Sequence, residues 1–134
     1  TNTYKVDFPT NKKTAIELLP TITEGSFSRF GDYFVFESPI FEELWLLTPE
    51  NETRKLEIKY TFAKTSWSSE GQLFYLNEIE EGYQLGRYNP KTDQYMELKI
   101  FSEITSLPDY FLVSPNEQII YYTIGEENFQ VRLK

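Results

Sequence analysis

The stretch Trp67-Ser68-Ser69-Glu70-Gly71-Gln72-Leu73-Phe74-Tyr75-Leu76 decides the fold that this sequence predicts. A bulky residue precedes a polar tight turn, and a wholly apolar strand follows it. Gly71 supplies the positive φ that such a turn uses, and Ser69 is a typical turn residue. We therefore predict that the strand entering at Phe62–Trp67 turns back on itself and continues as Leu73–Leu76.

Two weaker copies of this pattern flank it in the sequence. The first runs from Phe27 to Asp32 and is followed by the apolar segment Tyr33–Phe36. The other runs from Val113 to Glu117 and is followed by Ile119–Tyr122. Each following segment is apolar at every position, which is typical of a strand that is buried on both faces.

The spacing of the copies predicts the architecture. Aligning Phe27, Trp67 and Val113 gives separations of 40 and 46 residues. Four short antiparallel strands in about 40–50 residues is the period of a β-propeller blade. In the third copy Glu117 stands where the second copy has Gly71, so that turn is either strained or of another type.

On these residues the chain resembles the blades of TolB-like and WD-repeat-like propellers, whose repeats read roughly W-S-P-D-G-x-x-[LI]-[AV]-[FY]. Trp67–Tyr75 fits this pattern well, and Asn89-Pro90-Lys91-Thr92-Asp93 stands where the family has a second turn. The copies at Phe27 and Val113 fit in part, and the resemblance covers residues 14–134. It implies blade architecture and favours a periplasmic or extracellular location, but blades host many functions.

We therefore predict one all-β domain over residues 1–134, built of three four-stranded antiparallel blades. The blades span about residues 21–58, 61–100 and 107–134, and the N-terminal strands at 3–19 close an edge. The third blade stops after three strands, and three blades are too few to close a ring of the usual four to eight. Three arrangements remain open. The chain forms a six-bladed ring as a two-fold dimer by strand exchange, it is part of a longer propeller, or it caps its edges with its own N-terminal strands.

The composition limits the chemistry. The chain has no Cys and no His, which excludes thiol chemistry, His-based triads and Cys/His zinc sites. Its net charge is −8, and its Lys and Arg residues form no basic stripe, so we expect no nucleic-acid partner. No apolar run reaches the roughly 20 residues of a membrane-spanning helix. Aromatic residues make up 17% of the chain and predict a core of rings.

Acidic residues cluster in the connections that follow the second strand of each predicted blade. A face with many carboxylates attracts a basic partner or a divalent cation, although acidic hairpin tips more often serve solubility alone. Lys64, Asp109 and Tyr110 lie at or before predicted innermost strands and can face the channel. Polar neighbours predict exposed rings at Tyr83, Tyr88 and Tyr95, whereas Phe27, Trp45 and Trp67 are expected in the core between blades. The candidate binding residues are Lys64, Glu78, Glu80, Glu81, Tyr83, Tyr88, Asp109 and Tyr110.

These observations favour a non-catalytic binding or assembly module that recognises a protein or peptide through the loops on one face. We expect no catalytic residues, metal or cofactor. The alternative is a carbohydrate-binding or carbohydrate-active propeller domain, whose acid pair the sequence cannot place across a cleft. A small barrel that holds a lipid fits the chain length but predicts no internal repeat.

Overall fold

The computed structural model describes residues 3–7, 10–16, 25–28, 32–38, 43–59, 64–102, 104 and 106–133. These residues form thirteen β-strands joined by tight turns and short connections. The strands are β1 (Thr3–Asp7), β2 (Lys12–Ile16), β3 (Gly25–Phe27), β4 (Phe34–Ser38), β5 (Glu43–Leu47), β6 (Thr53–Lys59), β7 (Lys64–Trp67), β8 (Leu73–Ile79), β9 (Gly82–Asn89), β10 (Gln94–Phe101), β11 (Tyr110–Val113), β12 (Ile119–Ile124) and β13 (Glu127–Arg132).

The strands pair in chain order into three antiparallel sheets and one hairpin. The first sheet has the order β3-β4-β5-β6, the second β7-β8-β9-β10 and the third β11-β12-β13, while β1 and β2 form the N-terminal hairpin. Each sheet is a meander whose strands follow one another, as in a propeller blade. The predicted all-β, propeller-like fold is confirmed, and the third sheet contains three strands among the described residues.

The second sheet lies between the other two and contributes to both interfaces. Leu73 and Tyr75 of β8 pack in the cluster with the first sheet, whereas Phe74 and Leu76 pack in the cluster with the third. Successive side chains of a strand point to opposite faces, so this sandwiched strand has no polar side. Burying each such ring or branched side chain contributes roughly 1.5–3 kcal/mol.

The third sheet differs from this pattern. β12 buries Ile120 and Tyr122 against the second sheet, but Tyr121 on its other side is 48% exposed. The prediction that the strand after each turn is buried on both faces is therefore wrong for this strand. The reason is positional, because the outer face of the third sheet has no fourth sheet among the described residues to cover it.

The repeated polar turn is confirmed in the backbone of the second and third sheets, whereas residues 29–31 of the first copy lie outside the described part of the chain. The amide of Ser68 donates to the carbonyl of Gln72, and the Ser68 hydroxyl accepts from the amide of Gln72. Ser28 and Ser114 make the corresponding contacts in the first and third sheets, with Tyr33 and Ile119 as partners. A serine hydroxyl that bonds to the backbone ahead of it holds each turn closed.

Gly71 of the second sheet's turn and Glu117 at the corresponding position of the third have the same backbone conformation. Gly71 has φ of 78° and Glu117 has φ of 59°, both in the left-handed region. Both outcomes that the sequence left open therefore apply, because Glu117 has this φ and the turn is also one residue longer, closing between Ser114 and Ile119 where the second sheet closes between Ser68 and Gln72. A residue with a side chain in this region costs roughly 1–3 kcal/mol unless its surroundings stabilise it.

Polar contacts join the sheets at the same end as these turns. The Arg54 guanidinium of the first sheet donates to the Tyr88 hydroxyl at 3.1 Å and to the Pro90 carbonyl at 2.8 Å. The Tyr88 hydroxyl donates in turn to Asp93 at 2.7 Å. Because Tyr88 is fully buried, these bonds satisfy a phenol that would otherwise be costly to remove from water.

No helix in the described part of the chain is long and apolar enough to cross a membrane.

Candidate functional site

The two ends of the stacked sheets differ in chemistry. One end, which we call the turn face, carries the β7–β8 and β11–β12 turns, where the Ser69 hydroxyl donates to the Pro115 carbonyl. The other end, which we call the loop face, carries the β8–β9 and β12–β13 turns, because strand direction reverses at each turn. The predicted binding residues belong to the loop face, with Tyr88 as the exception.

A cleft opens near the loop face between the innermost strands of the first and second sheets. Its volume is about 190 Å³. The lining residues are Gly25, Ser26, Val35, Phe36, Glu37, Leu44, Lys64 and Thr65. The cleft therefore combines one ammonium group, one carboxylate and two hydroxyls over an apolar floor, which suits a small polar or charged group.

Lys64 is the predicted site residue that the structure places in this cleft. It is the first residue of β7 and pairs with Leu76 of β8, so its backbone is fixed by the sheet. Its side chain is half-buried at the cleft wall. The order β10-β9-β8-β7 makes β7 an edge strand of the second sheet.

Exposed carboxylates surround this end of the second and third sheets. Glu78, Glu80 and Glu81 are exposed at the β8–β9 turn, and Glu126 and Glu127 at the β12–β13 turn. In the described ranges no group of three or more acidic side chains is arranged to hold a metal ion. The arrangement gives a diffuse negative field at the loop face rather than a coordination site.

Glu43, the first residue of β5, is engaged within its own sheet. Its carboxylate lies 2.8 Å from the Lys55 ammonium and accepts from the Trp45 indole at 2.9 Å. These bonds, the one from Lys55 above all, lower the pKa of Glu43. The neighbouring acid Glu42 lies outside the described residues.

Asp109 and Tyr110 have different surroundings although they are adjacent in sequence. The Asp109 carboxylate accepts from the Gly125 amide at 2.8 Å, so it fastens the β12–β13 turn. Tyr110 is 70% exposed on the outer face of the third sheet. Neither residue lines the cleft beside Lys64.

The expected exposure of Tyr83 and Tyr88 is wrong. Their side chains are 4% and 0% exposed, and Tyr95 is half-buried against Tyr88 with ring centroids 4.7 Å apart. Polar neighbours in the sequence misled the prediction, because alternate strand residues face opposite ways and the rings point inward. Burial raises the pKa of all three phenols. Tyr83 and Tyr88 offer no surface for a ligand.

A second concavity lies on the turn face, and the sequence analysis did not predict it. Phe27, expected in the core, is 65% exposed and lines an open groove of about 450 Å³ with Trp67, Ser68, Ser69 and Pro115. The Trp67 indole donates to the Ser26 carbonyl at 3.3 Å, which fixes the ring at the sheet boundary. Phe27 lies at the end of a strand of only three residues, which the sequence did not indicate.

Comparison with known proteins supports the fold and leaves the activity open. No family model and no curated protein matches the sequence. Among solved structures, TolB from Acinetobacter baumannii is similar with a TM-score of 0.60 and 14% identity, over 95% of this chain and 33% of that one. Virginiamycin B lyase from Staphylococcus aureus is similar with a TM-score of 0.56 and 13% identity, over 98% of this chain and 48% of that one.

The resemblance to TolB-like propellers is thus confirmed at the level of the fold. At this identity the likeness does not transfer a function, and one of the two proteins is an enzyme by its name. The chain spans between a third and a half of the length of these structures.

Proposed function

We propose that this chain is a propeller-type binding module that recognises a basic protein or peptide segment through its loop face. The cleft beside Lys64 supports the proposal, because it lies at that end and pairs charged groups with two hydroxyls. A side chain or chain terminus of the partner enters the cleft. The acidic turns around it attract the rest of the segment.

The exposed carboxylates attract the partner electrostatically, and the cleft determines which ligands bind. Glu78, Glu80 and Glu81 stand in water, where each adds to an attractive field that raises association rates for a basic partner and weakens with salt. Lys64 and Glu37 line the more enclosed part of the surface, where hydrogen bonds discriminate between ligands. Asp109 holds the neighbouring β12–β13 turn in position for the same contact.

Selection from a random peptide library tests the proposal. We expect the selected peptides to be rich in Lys and Arg and to lose roughly tenfold in affinity, about 1.4 kcal/mol, when Glu78, Glu80 and Glu81 are replaced by Gln. Lys64→Ala is expected to reduce binding further and to change the selected sequences. Peptides that bind the triple variant as well as the parent protein would contradict the proposal.

The turn face provides the matched control. Glu50→Gln with Glu52→Gln removes two exposed charges from the β5–β6 turn, at the opposite end of the first sheet. This variant lowers the net negative charge without touching the loop face. If it weakens binding as much as the loop-face variant does, net charge rather than a defined surface explains the affinity.

A carbohydrate-binding role is the second candidate, and the groove between Phe27 and Trp67 favours it. Two aromatic side chains beside serine hydroxyls form a surface on which a sugar ring can stack. Titration with oligosaccharides should then change tryptophan fluorescence, and Phe27→Ala should abolish the change. An unchanged signal across a panel of oligosaccharides would exclude this role for the groove.

We also propose that the module assembles with itself. The exposed apolar face of the third sheet supports self-association, because three side chains on it, Tyr110, Leu112 and Tyr121, remain in water. Light scattering of the purified chain at micromolar concentration tests this directly. A monodisperse monomer would exclude it while leaving peptide recognition untouched.

A further inference from the structure

Among the described residues, the third sheet has no outer strand of the kind that its two neighbours have. Its order is β11-β12-β13, so β13 has one free edge among the described residues. Ile124 pairs with Glu127 across a two-residue turn, which makes that pair a hydrogen-bonded one. The alternation of an antiparallel ladder then directs the amides of Asn128, Gln130 and Arg132 away from β12, toward the open edge.

Apolar side chains are uncovered beside this edge. Met96 of β10 is half exposed on the side of the second sheet that faces the third, where its sulfur contacts Arg87 at 3.3 Å. Leu98 at the β10 bulge and Leu133 after β13 line a cavity of about 130 Å³ between the two sheets. A fourth strand on β13 would lie over these residues.

The order of elements along the chain identifies which strand belongs there. In the first two sheets the outer strand leads directly to the innermost strand of the next sheet. The connection from β6 to β7 is residues 60–63, and the connection from β10 to β11 is residues 102–109. β2 precedes β3 through residues 17–24, a connection as long as the second of these. β2 therefore has the position of an outer strand belonging to the sheet before the first.

We propose that β2 of a second copy of this chain pairs with β13 and completes the third sheet, a geometry that rests on the proposed self-association. The N-terminal hairpin pairs with no strand of the three described sheets, so it is available for this role. In the structure β2 pairs with β1 and not with β13 of its own chain. Two copies that exchange hairpins bring six sheets together, within the four to eight blades of ordinary propellers.

The exchange also accounts for the exposed outer face of the third sheet. An outer strand is followed by the innermost strand of the next sheet, so the second copy's first sheet would stack on Tyr110, Leu112 and Tyr121. Both the free edge and the free face are then covered by one partner.

Blocking the free edge tests the inference. Gln130→Pro removes an outward amide without removing a β12–β13 hydrogen bond, and proline is tolerated on edge strands. In light scattering we expect a mass twice that of the 15.9 kDa chain for the parent protein and for Gln130→Thr, and a single-chain mass for Gln130→Pro. Circular dichroism should be the same for both variants. A dimer that survives Gln130→Pro would overturn strand exchange while preserving self-association.

Disulfide trapping gives a second and independent test, because the chain has no cysteine of its own. Lys13→Cys combined with Gln130→Cys should yield a covalent dimer on a non-reducing gel under mild oxidation. Lys13→Cys combined with Lys91→Cys, which places the second thiol at the β9–β10 turn, should yield none. Equal crosslinking in both pairs, or a parent chain that is monomeric, would overturn the inference.

Discussion

The carboxylate of Glu117 accepts a hydrogen bond from the hydroxyl of Ser68 at 2.7 Å, joining the repeated turns of the third and second sheets. The same carboxylate lies 3.4 Å from the Arg87 guanidinium. Glu117 holds these contacts from a left-handed backbone conformation, with φ of 59°. The backbone strain at this position is therefore offset by bonds that glycine could not make.

Two substitutions of Glu117 separate the cost of its backbone strain from the stabilisation that its hydrogen bonds provide. Glu117→Ala should lower the free energy of unfolding by about 1–3 kcal/mol, because the buried Ser68 hydroxyl loses its acceptor while the strain remains. Glu117→Gly should cost about 0.4–1 kcal/mol less than Glu117→Ala, since glycine accepts this φ freely. Urea denaturation measures both, and equal losses for the two variants would contradict the assignment of strain.

Gly86 is predicted to be intolerant of a side chain. A Cβ at this position would come within 2.1 Å of the Tyr75 ring, which crosses directly over it from β8. Gly86→Ala should therefore destabilise the protein by roughly 1–3 kcal/mol through overpacking. Gly125→Ala is the matched comparison, because its Cβ would meet nothing within 4 Å and its cost comes from φ of 60° alone. Thermal unfolding that ranks Gly125→Ala as the more damaging change would refute the close approach.

Truncating two neighbouring side chains of β11 should change the free energy of unfolding by very different amounts. Phe111 is buried against the second sheet, so Phe111→Ala should cost about 3–5 kcal/mol. Leu112 is 59% exposed on the other side, and Leu112→Ala should change the free energy of unfolding of the single chain by less than about 0.5 kcal/mol. Guanidinium titrations at low protein concentration compare them. A one-residue change in register would reverse the two results.

The buried tyrosines predict a loss of stability at alkaline pH. Burial is the largest cause that raises the pKa of Tyr75, Tyr83, Tyr88 and Tyr95. The folded state thus holds these protons more tightly than the unfolded state does, so stability is complete below about pH 10, the ordinary tyrosine pKa, and falls as pH rises above it. Tyr88→Phe should make the fall less steep. An unfolding free energy that stays constant from pH 9 to 12 would contradict this prediction.

Much of the fold follows from short-range patterns in the sequence. The Ser68–Gly71 turn and its apolar strand predicted the sheet unit, and the spacing of three copies predicted how many units there are. The orientation of single rings was harder to predict. Tyr83 and Tyr88 sit among polar neighbours yet point inward, and Phe27 sits in a core-like motif yet points outward.

The site was less predictable than the fold for a physical reason. Lys64 could be assigned to an innermost strand from sequence order, but its approach to Ser26 and Glu37 depends on how two sheets stack. Similarly, nothing in the local sequence of Glu117 indicates that its carboxylate reaches Ser68 and Arg87 of another sheet. Contacts between sheets depend on how the sheets stack, which the repeat spacing and the turn residues of the sequence do not specify.

The radial stacking of the three sheets is the central claim, and a nuclear Overhauser spectrum tests it most directly. The Glu57 amide lies 2.9 Å from the Tyr95 hydroxyl, and the Val113 amide lies 3.2 Å from the Ser66 hydroxyl oxygen. We predict cross-peaks from Glu57 to the Tyr95 ring and from Val113 to the Ser66 side chain, linking the first sheet to the second and the second to the third. A folded, well-dispersed spectrum in which both cross-peaks are absent would contradict the stacking.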